Sequence, residues 1–155
     1  MGIVTAKAPY ATIGEKWIMA FTVRRIDYFY IMVTESPEIG YEVLSGLAEQ
    51  GVNLVAITAV PFGPARTQLT VFPDDTAKML HAAQQANIPL DGPHPALVVQ
   101  GDDEVGSLAH IHKKLLDANV HVFASTGVAD GRGGYGYIIF VRPDEHKRAA
   151  EALDV

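Results

Sequence analysis

The sequence predicts an α+β fold in which the order β-α-β-β-α occurs twice, and three observations lead there. The first is an internal repeat. "YFYIMVTESPEIGYEVLSGLAEQGVNLVAIT" from Tyr28 sets against "ALVVQGDDEVGSLAHIHKKLLDANVHVFAST" from Ala96, with Phe29 over Leu97, Ile31 over Val99, Val43 over Ile111, Leu47 over Leu115, Val52 over Val120 and Leu54 over Val122. Self-similarity at a fixed spacing marks a duplicated structural unit. The second is that each copy alternates β-branched and aromatic runs with a stretch whose apolar residues recur every three or four positions. The third is composition: 155 residues, of which 48% are hydrophobic, can bury the core of one medium domain or two small ones.

Taken in order, residues 1–18 lack both the apolar run and the small-residue cleavage site of a secretory signal. They are expected as an extension outside the fold, with a short strand as the competing reading. Residues 1–27 together form an extension and lead-in, residues 28–90 a first domain, 91–95 a linker within the proline-rich "NIPLDGPHP", and 96–155 a second domain. Strands are expected over 28–34 and 96–100. A helix follows each, with Val43, Leu44, Leu47 and Ala48 as the buried stripe in the first copy and Leu108, Ile111, Leu115 and Ala118 in the second. Gly51 and Asn119 suit left-handed helix caps, and "GVNLVAITAV" and "NVHVFASTGV" start the next strands. Third strands lie near 67–72 and 135–141. Pro73-Asp74 and Pro143-Asp144 introduce the last helices, with the aspartates where negative charge favours a helix N-terminus. That pairing lengthens the register by two residues, which are placed inside "GRGGYGY". A short fourth strand can close each unit.

Charge and composition exclude several classes. A net charge of -6 lacks the basic stripe that nucleic acid demands. The absence of cysteine removes disulfides, thiolate metal sites and cysteine nucleophiles, and fits the cytoplasm. The longest apolar runs are too short to span a bilayer. Gly131, Gly133 and Gly136 satisfy the G-x-G-x-x-G spacing of dinucleotide loops, but strand-like sequence lies on both sides of them, so a hairpin is expected there and a mobile flap is the remaining alternative.

The segment from Tyr28 through "SPEIGYEVLSGLAEQGVNL" resembles the ACT domain, a small regulatory module. Glu35-Ser36-Pro37 and Gly51-Val52-Asn53-Leu54 follow its acidic-x-Pro and Gly-Val-Asn-Leu patterns, with Glu38 where the family prefers glycine. The second copy keeps Gly106 and Leu108, with Val105 in place of proline and Asn119-Val120-His121-Val122 for the later motif. The resemblance covers residues 28–155 and is that of a free-standing tandem ACT protein. It implies two ferredoxin-like βαββαβ units, antiparallel sheets with helices on one face, pairing edge to edge or through their helices. It also implies a bound amino acid where the first strand-to-helix loop meets a neighbouring unit.

A loop that delivers backbone N–H groups at a helix N-terminus favours a ligand carboxylate, and nearby acids hold an ammonium. In the second copy these are Gly106, Ser107 and Leu108 for the carboxylate, beside Val105, with Asp102, Asp103 or Glu104 for the ammonium. In the first copy the loop is Glu35, Ser36, Pro37, Glu38, Ile39 and Gly40, where Glu38 occupies the anion position and can cap the helix itself. Asn53 and His121 hold equivalent places in the second strands, as ligand contacts or plain strand-end residues. His110 and His112 fit a solvated face better than a metal site, and "DDE" at 102–104 fits a helix-capping turn. Thr58, Ser125 and Thr126 have no histidine and carboxylate set beside them. The expectation is a non-catalytic, amino-acid-binding regulatory protein with no cofactor and no metal. It is expected to be a homodimer acting on a regulated enzyme, apart from nucleic acid and membrane; the alternative is a ligand-free module that assembles with a partner protein.

Overall fold

The computed structural model of the chain describes residues 20–34 and 36–155. The expected extension over 1–18, and Glu35, lie outside the described residues. The elements are β1 (Phe21–Thr34), α1 (Pro37–Glu49), β2 (Leu54–Pro61), β3 (Arg66–Pro73) and α2 (Thr76–Gln85), then β4 (Asp91–Asp102), α3 (Ser107–Asp117), β5 (Val122–Ala129), β6 (Gly134–Val141) and α4 (His146–Ala152). All strand pairs are antiparallel, in one sheet of order β2-β3-β1-β4-β6-β5. The fold is α+β, two ferredoxin-like βαββαβ units side by side.

Alternation along the strands explains the layers. Phe29, Ile31 and Val33 of β1 pack with Leu47, Met79 and Ala82 of the first pair of helices, and Leu97, Val99, Tyr137 and Ile139 pack with Ile111, Leu115, Ala149 and Leu153 of the second pair. Helices therefore cover one face. The intervening residues Ile26, Tyr28, Phe72, Ala96, Val98, Ile138 and Phe140 form a third core on the other face. Phe72 and Phe140 stand 5.8 Å apart between ring centroids, although β1 and β4 separate their strands in the sheet order. Three strand spacings in a flat sheet come to about 14 Å. The sheet is thus rolled, and the two halves face each other through their helix-free surfaces rather than through helices.

Both first strands are longer than the sequence predicts. β1 begins at Phe21 and β4 at Asp91, so residues of the expected lead-in and the expected linker are strand. Each half obtains its fourth strand this way: residues 91–94 run beside the start of β1's own half at Tyr28 and Tyr30, while Phe21–Asp27 pairs with Pro95–Gly101 of the second half. The second half has no strand after α4 and takes its fourth from the beginning of the fold.

The two extra residues of the second copy do not lie in the glycine loop. β2 and β5 each have 8 residues, as do β3 and β6, and the hairpin turns between them are of equal length. The insertion sits between β6 and α4, where Arg142–Glu145 form an added turn closed by Glu145 N–H to Arg142 O at 2.9 Å, against Asp74 and Asp75 alone between β3 and α2. The helix stripes hold at Val43, Leu47, Ile111, Leu115 and Ala118, joined by Ile39, whereas the expected Leu44 and Leu108 are 40% and 43% exposed. The caps are as expected, with Gly51 at φ 71° and Asn119 at φ 54°, each followed by a bond back into its helix.

Candidate functional site

β4 ends at Asp102 and the chain turns through Asp103–Gly106 into α3. The turn is held by its own backbone: the Asp102 carbonyl accepts the Glu104 N–H at 3.0 Å and the Ser107 hydroxyl at 3.2 Å, and the Glu104 carbonyl accepts the Ser107 N–H at 3.1 Å. Gly106 caps the helix at φ 95°, a left-handed conformation that a β-carbon disfavours. The β5–β6 hairpin braces the turn from the side, since the Gly133 carbonyl accepts the Asp103 N–H at 2.9 Å and Asp102 pairs with Gly134. Asp130 organises that hairpin by accepting the backbone N–H groups of Arg132 at 2.7 Å and Gly134 at 2.9 Å, which hold its carboxyl below the usual carboxylate range. Strand β6 follows the glycines, so this is a hairpin and not a dinucleotide loop.

Turn, helix and hairpin enclose a cleft of about 490 Å³. Asp103 and Glu104 line one rim, Gly106, Ser107, Leu108 and Ala109 bring the first turn of α3, and Gly127, Val128, Ala129, Tyr135, Gly136 and Tyr137 form the opposite wall. The Tyr137 hydroxyl meets His112 Nε2 at 2.7 Å, which fixes the ring at the cleft wall. Burial pushes the Tyr135 phenol up, and the charge of Asp102 adds to the effect. The first N–H groups of a helix have no intrahelical acceptor and attract anions, whereas the two carboxylates attract a cation. No lysine or arginine lines the cleft.

The structure therefore brings Asp103, Glu104, Gly106, Ser107 and Leu108 together. Asp102 contributes its carbonyl to the turn, and Val105 is 78% exposed outside the lining. In the first copy Ser36 holds the N-cap position of α1 without a side-chain bond to the helix; its hydroxyl donates instead to Glu38 Oε2 at 2.8 Å, so the acid folds back on that position. The backbone of Pro37 opens α1, Ile39 packs on the first core, and Gly40 faces open space. Asn53 and His121 lie at the other end of their strands' helices. Asn53 Nδ2 donates to Asp74 at 3.3 Å, and His121 is bound to Glu145 through both its backbone N–H and its ring. Neither joins the cleft. Sequence reasoning missed the hairpin wall, although small residues alternating with Tyr135 and Tyr137 beside the glycine loop were the available signal.

No family model and no curated protein matches the sequence. Among solved structures, protein BT0572 from Bacteroides thetaiotaomicron superposes with a TM-score of 0.73 at 16% identity, over 85% of this chain and 88% of that one. The ligand-free regulatory subunit of aspartate kinase from Thermus thermophilus gives 0.60 at 17% identity, over 86% and 94%. The regulatory subunit from Thermus flavus gives 0.55 at 15% identity, over 88% and 94%. Identities this low speak for the fold alone, and the chain shares the fold of these three proteins.

Proposed function

We propose that the chain is a regulatory, non-catalytic protein of tandem ACT type whose effector is an amino acid held in the α3 cleft. The observation that supports this is the meeting of the α3 first turn with Asp103 and Glu104 around one cavity large enough for such a molecule. Two of the three fold neighbours are by name regulatory subunits of aspartate kinase, which favours control of a separate enzyme over catalysis by this chain. The proposal extends to a homodimer, because β2 and β5 leave both sheet edges unpaired among the described residues, and to the cytoplasm, which a sequence without cysteine fits.

A thermal-shift screen of the twenty amino acids tests the reading. A ligand bound only by the folded state stabilises it by about 2.7 kcal/mol at a hundred times its dissociation constant, which raises Tm by several degrees. Ala109 stands at the third helical position and lines the cleft. Ala109→Glu places a negative charge where the helix tolerates it and where a ligand carboxylate does not. The variant should melt no lower than the parent when empty and should lose the ligand-induced shift, while Glu38→Gly keeps it. Should no amino acid move the melting curve, the ligand-free assembly module takes the place of this reading.

A further inference from the structure

Rolling the sheet creates a second cleft, of about 320 Å³, on the face away from the helices. Val55 and Ala56 of β2 form one side, and Val98 and Ile138, 4% and 5% exposed, lie at its floor on the other half. Thr58, Gln100 and Thr126 are its polar lining, and no side-chain hydrogen bond engages any of them among the described residues. No charged residue takes part. The cleft is therefore apolar at its base and neutral-polar around it.

Gly136 gives the second observation. It sits within β6, in the register Gln100↔Gly136, and alternates with Ile138 and Phe140 toward this cleft. A strand glycine usually answers a positive φ or the close approach of another group. Neither reason holds at Gly136, which is absent from the positive-φ residues and where an added Cβ would meet nothing within 4 Å. Gly127 across the hairpin contrasts with it, since a Cβ there would fall 2.7 Å from the Tyr137 ring. The space left by the missing side chain at Gly136 is the cleft itself.

We propose that this cleft is a binding site for a small uncharged molecule with an apolar body and an amide- or hydroxyl-like head. The body lies on Val98 and Ile138 in the room that Gly136 leaves, and the head exchanges hydrogen bonds with Thr58, Gln100 or Thr126. Because β2 belongs to one half and β4, β5 and β6 to the other, such a ligand contacts both halves at once. The site adjoins the α3 cleft, with which it shares Gly127, Val128, Gly136 and Tyr137 of the β5–β6 hairpin, but its floor of Val98 and Ile138 belongs to it alone, and it does not depend on an amino acid binding in the α3 cleft.

A series of n-alkyl amides from acetamide to octanamide tests the site, read by amide-resolved NMR titration of the full chain. Affinity should rise about fourfold per methylene until the cleft is full, with the largest shifts at Gly136, Ile138 and Thr126. Alkylammonium and alkylcarboxylate ions of equal length should bind at least tenfold more weakly, since the cleft offers no opposite charge. Gly136→Val, which fills the space without backbone strain and suits a strand, should retain the fold and lose the titration. Shifts spread evenly over the surface, charged probes binding as well as amides, or a Gly136→Val chain that titrates like the parent would each overturn the site.

Discussion

Glu145 shows how one side chain sets the pH response of the second half. Its side chain is only 8% exposed, yet donors converge on it: His121 Nδ1 at 3.1 Å, the His121 N–H at 3.2 Å and Arg148 Nη2 at 2.8 Å. A carboxylate only accepts, which assigns the Nδ1 proton to the ring. The His121 ring bond is the main cause holding the Glu145 carboxyl below its ordinary 4.5; burial opposes it, and the His121 backbone N–H with the charges of His121 and Arg148 reinforce it. A carboxyl depressed by folding stabilises the chain above its unfolded value and loses that contribution as pH falls through the folded value. Glu145→Gln should therefore lower the urea midpoint at neutral pH and flatten its fall as pH drops through and below the ordinary glutamate range. An unchanged acid slope would show that the three bonds do not hold the charge. His121 thus has a structural task that its strand-end position could not disclose.

At the scale of elements, the glycines of the β5–β6 hairpin share one motif and have different physical duties. Gly131 and Gly133 lie in the turn at φ 71° and 97°, whereas Gly136 is extended strand. Gly131→Ala and Gly133→Ala should each cost about 1 kcal/mol, the penalty for a β-carbon in the left-handed region. Gly136→Ala should be neutral or slightly stabilising, because an alanine restricts the unfolded chain and meets nothing in the folded one. Denaturation of the three single variants checks this ordering, and equal losses would contradict the turn geometry. The order of strands and helices was legible from Ile111 and Leu115 at helical spacing and from the aromatic strand runs. The position of the two-residue insertion was not. A shift of two residues preserves the inward and outward alternation of a strand, so Pro143 and Asp144 could be matched to Pro73 and Asp74 without showing whether the extra length lay before or after β6. Likewise "FTVRRID" over 21–27 mixes charges into its alternation, and "DGPHP" over 91–95 puts prolines where strands rarely hold them; both form strands because each extends one half's first strand alongside the first strand of the other half. In the site, the acidic turn and Gly106 were readable as loop chemistry, but the wall of Tyr135 and Tyr137 comes from pairing with β4, a contact between distant stretches that local pattern does not encode.

For the whole molecule, the exchange of fourth strands makes the halves mechanically dependent. Phe21 and Val23 pack on the second core from the first half of β1, Ile26 is 8% exposed in the shared core, and Arg25 Nη2 donates to the Val155 carbonyl at 3.2 Å. The approach is close enough to dictate a residue in β4: a Cβ at Gly101 would fall 2.8 Å from the Ala20 carbonyl oxygen and 2.9 Å from Phe21 Cβ. A chain that starts at Tyr28 contains the whole sequence repeat but lacks this strand. It loses the burial of Phe21, Val23 and Ile26, about 4 kcal/mol at 1.5–3 kcal/mol for each fully buried side chain and less for partly buried ones. That is a large part of the 5–15 kcal/mol typical of a folded domain. The truncated chain should unfold at a much lower urea concentration, with β4 and the second core losing amide-exchange protection first. Gly101→Ala in the full chain gives the milder form of the test and remains readable if the truncation does not fold. It should cost about 1–3 kcal/mol by overpacking and should lower protection along both β1 and β4 while the full chain still unfolds in one transition. If removal of residues 1–27 left the midpoint unchanged, or if the second half kept its protection without them, the strand exchange would have no part in holding the two halves together.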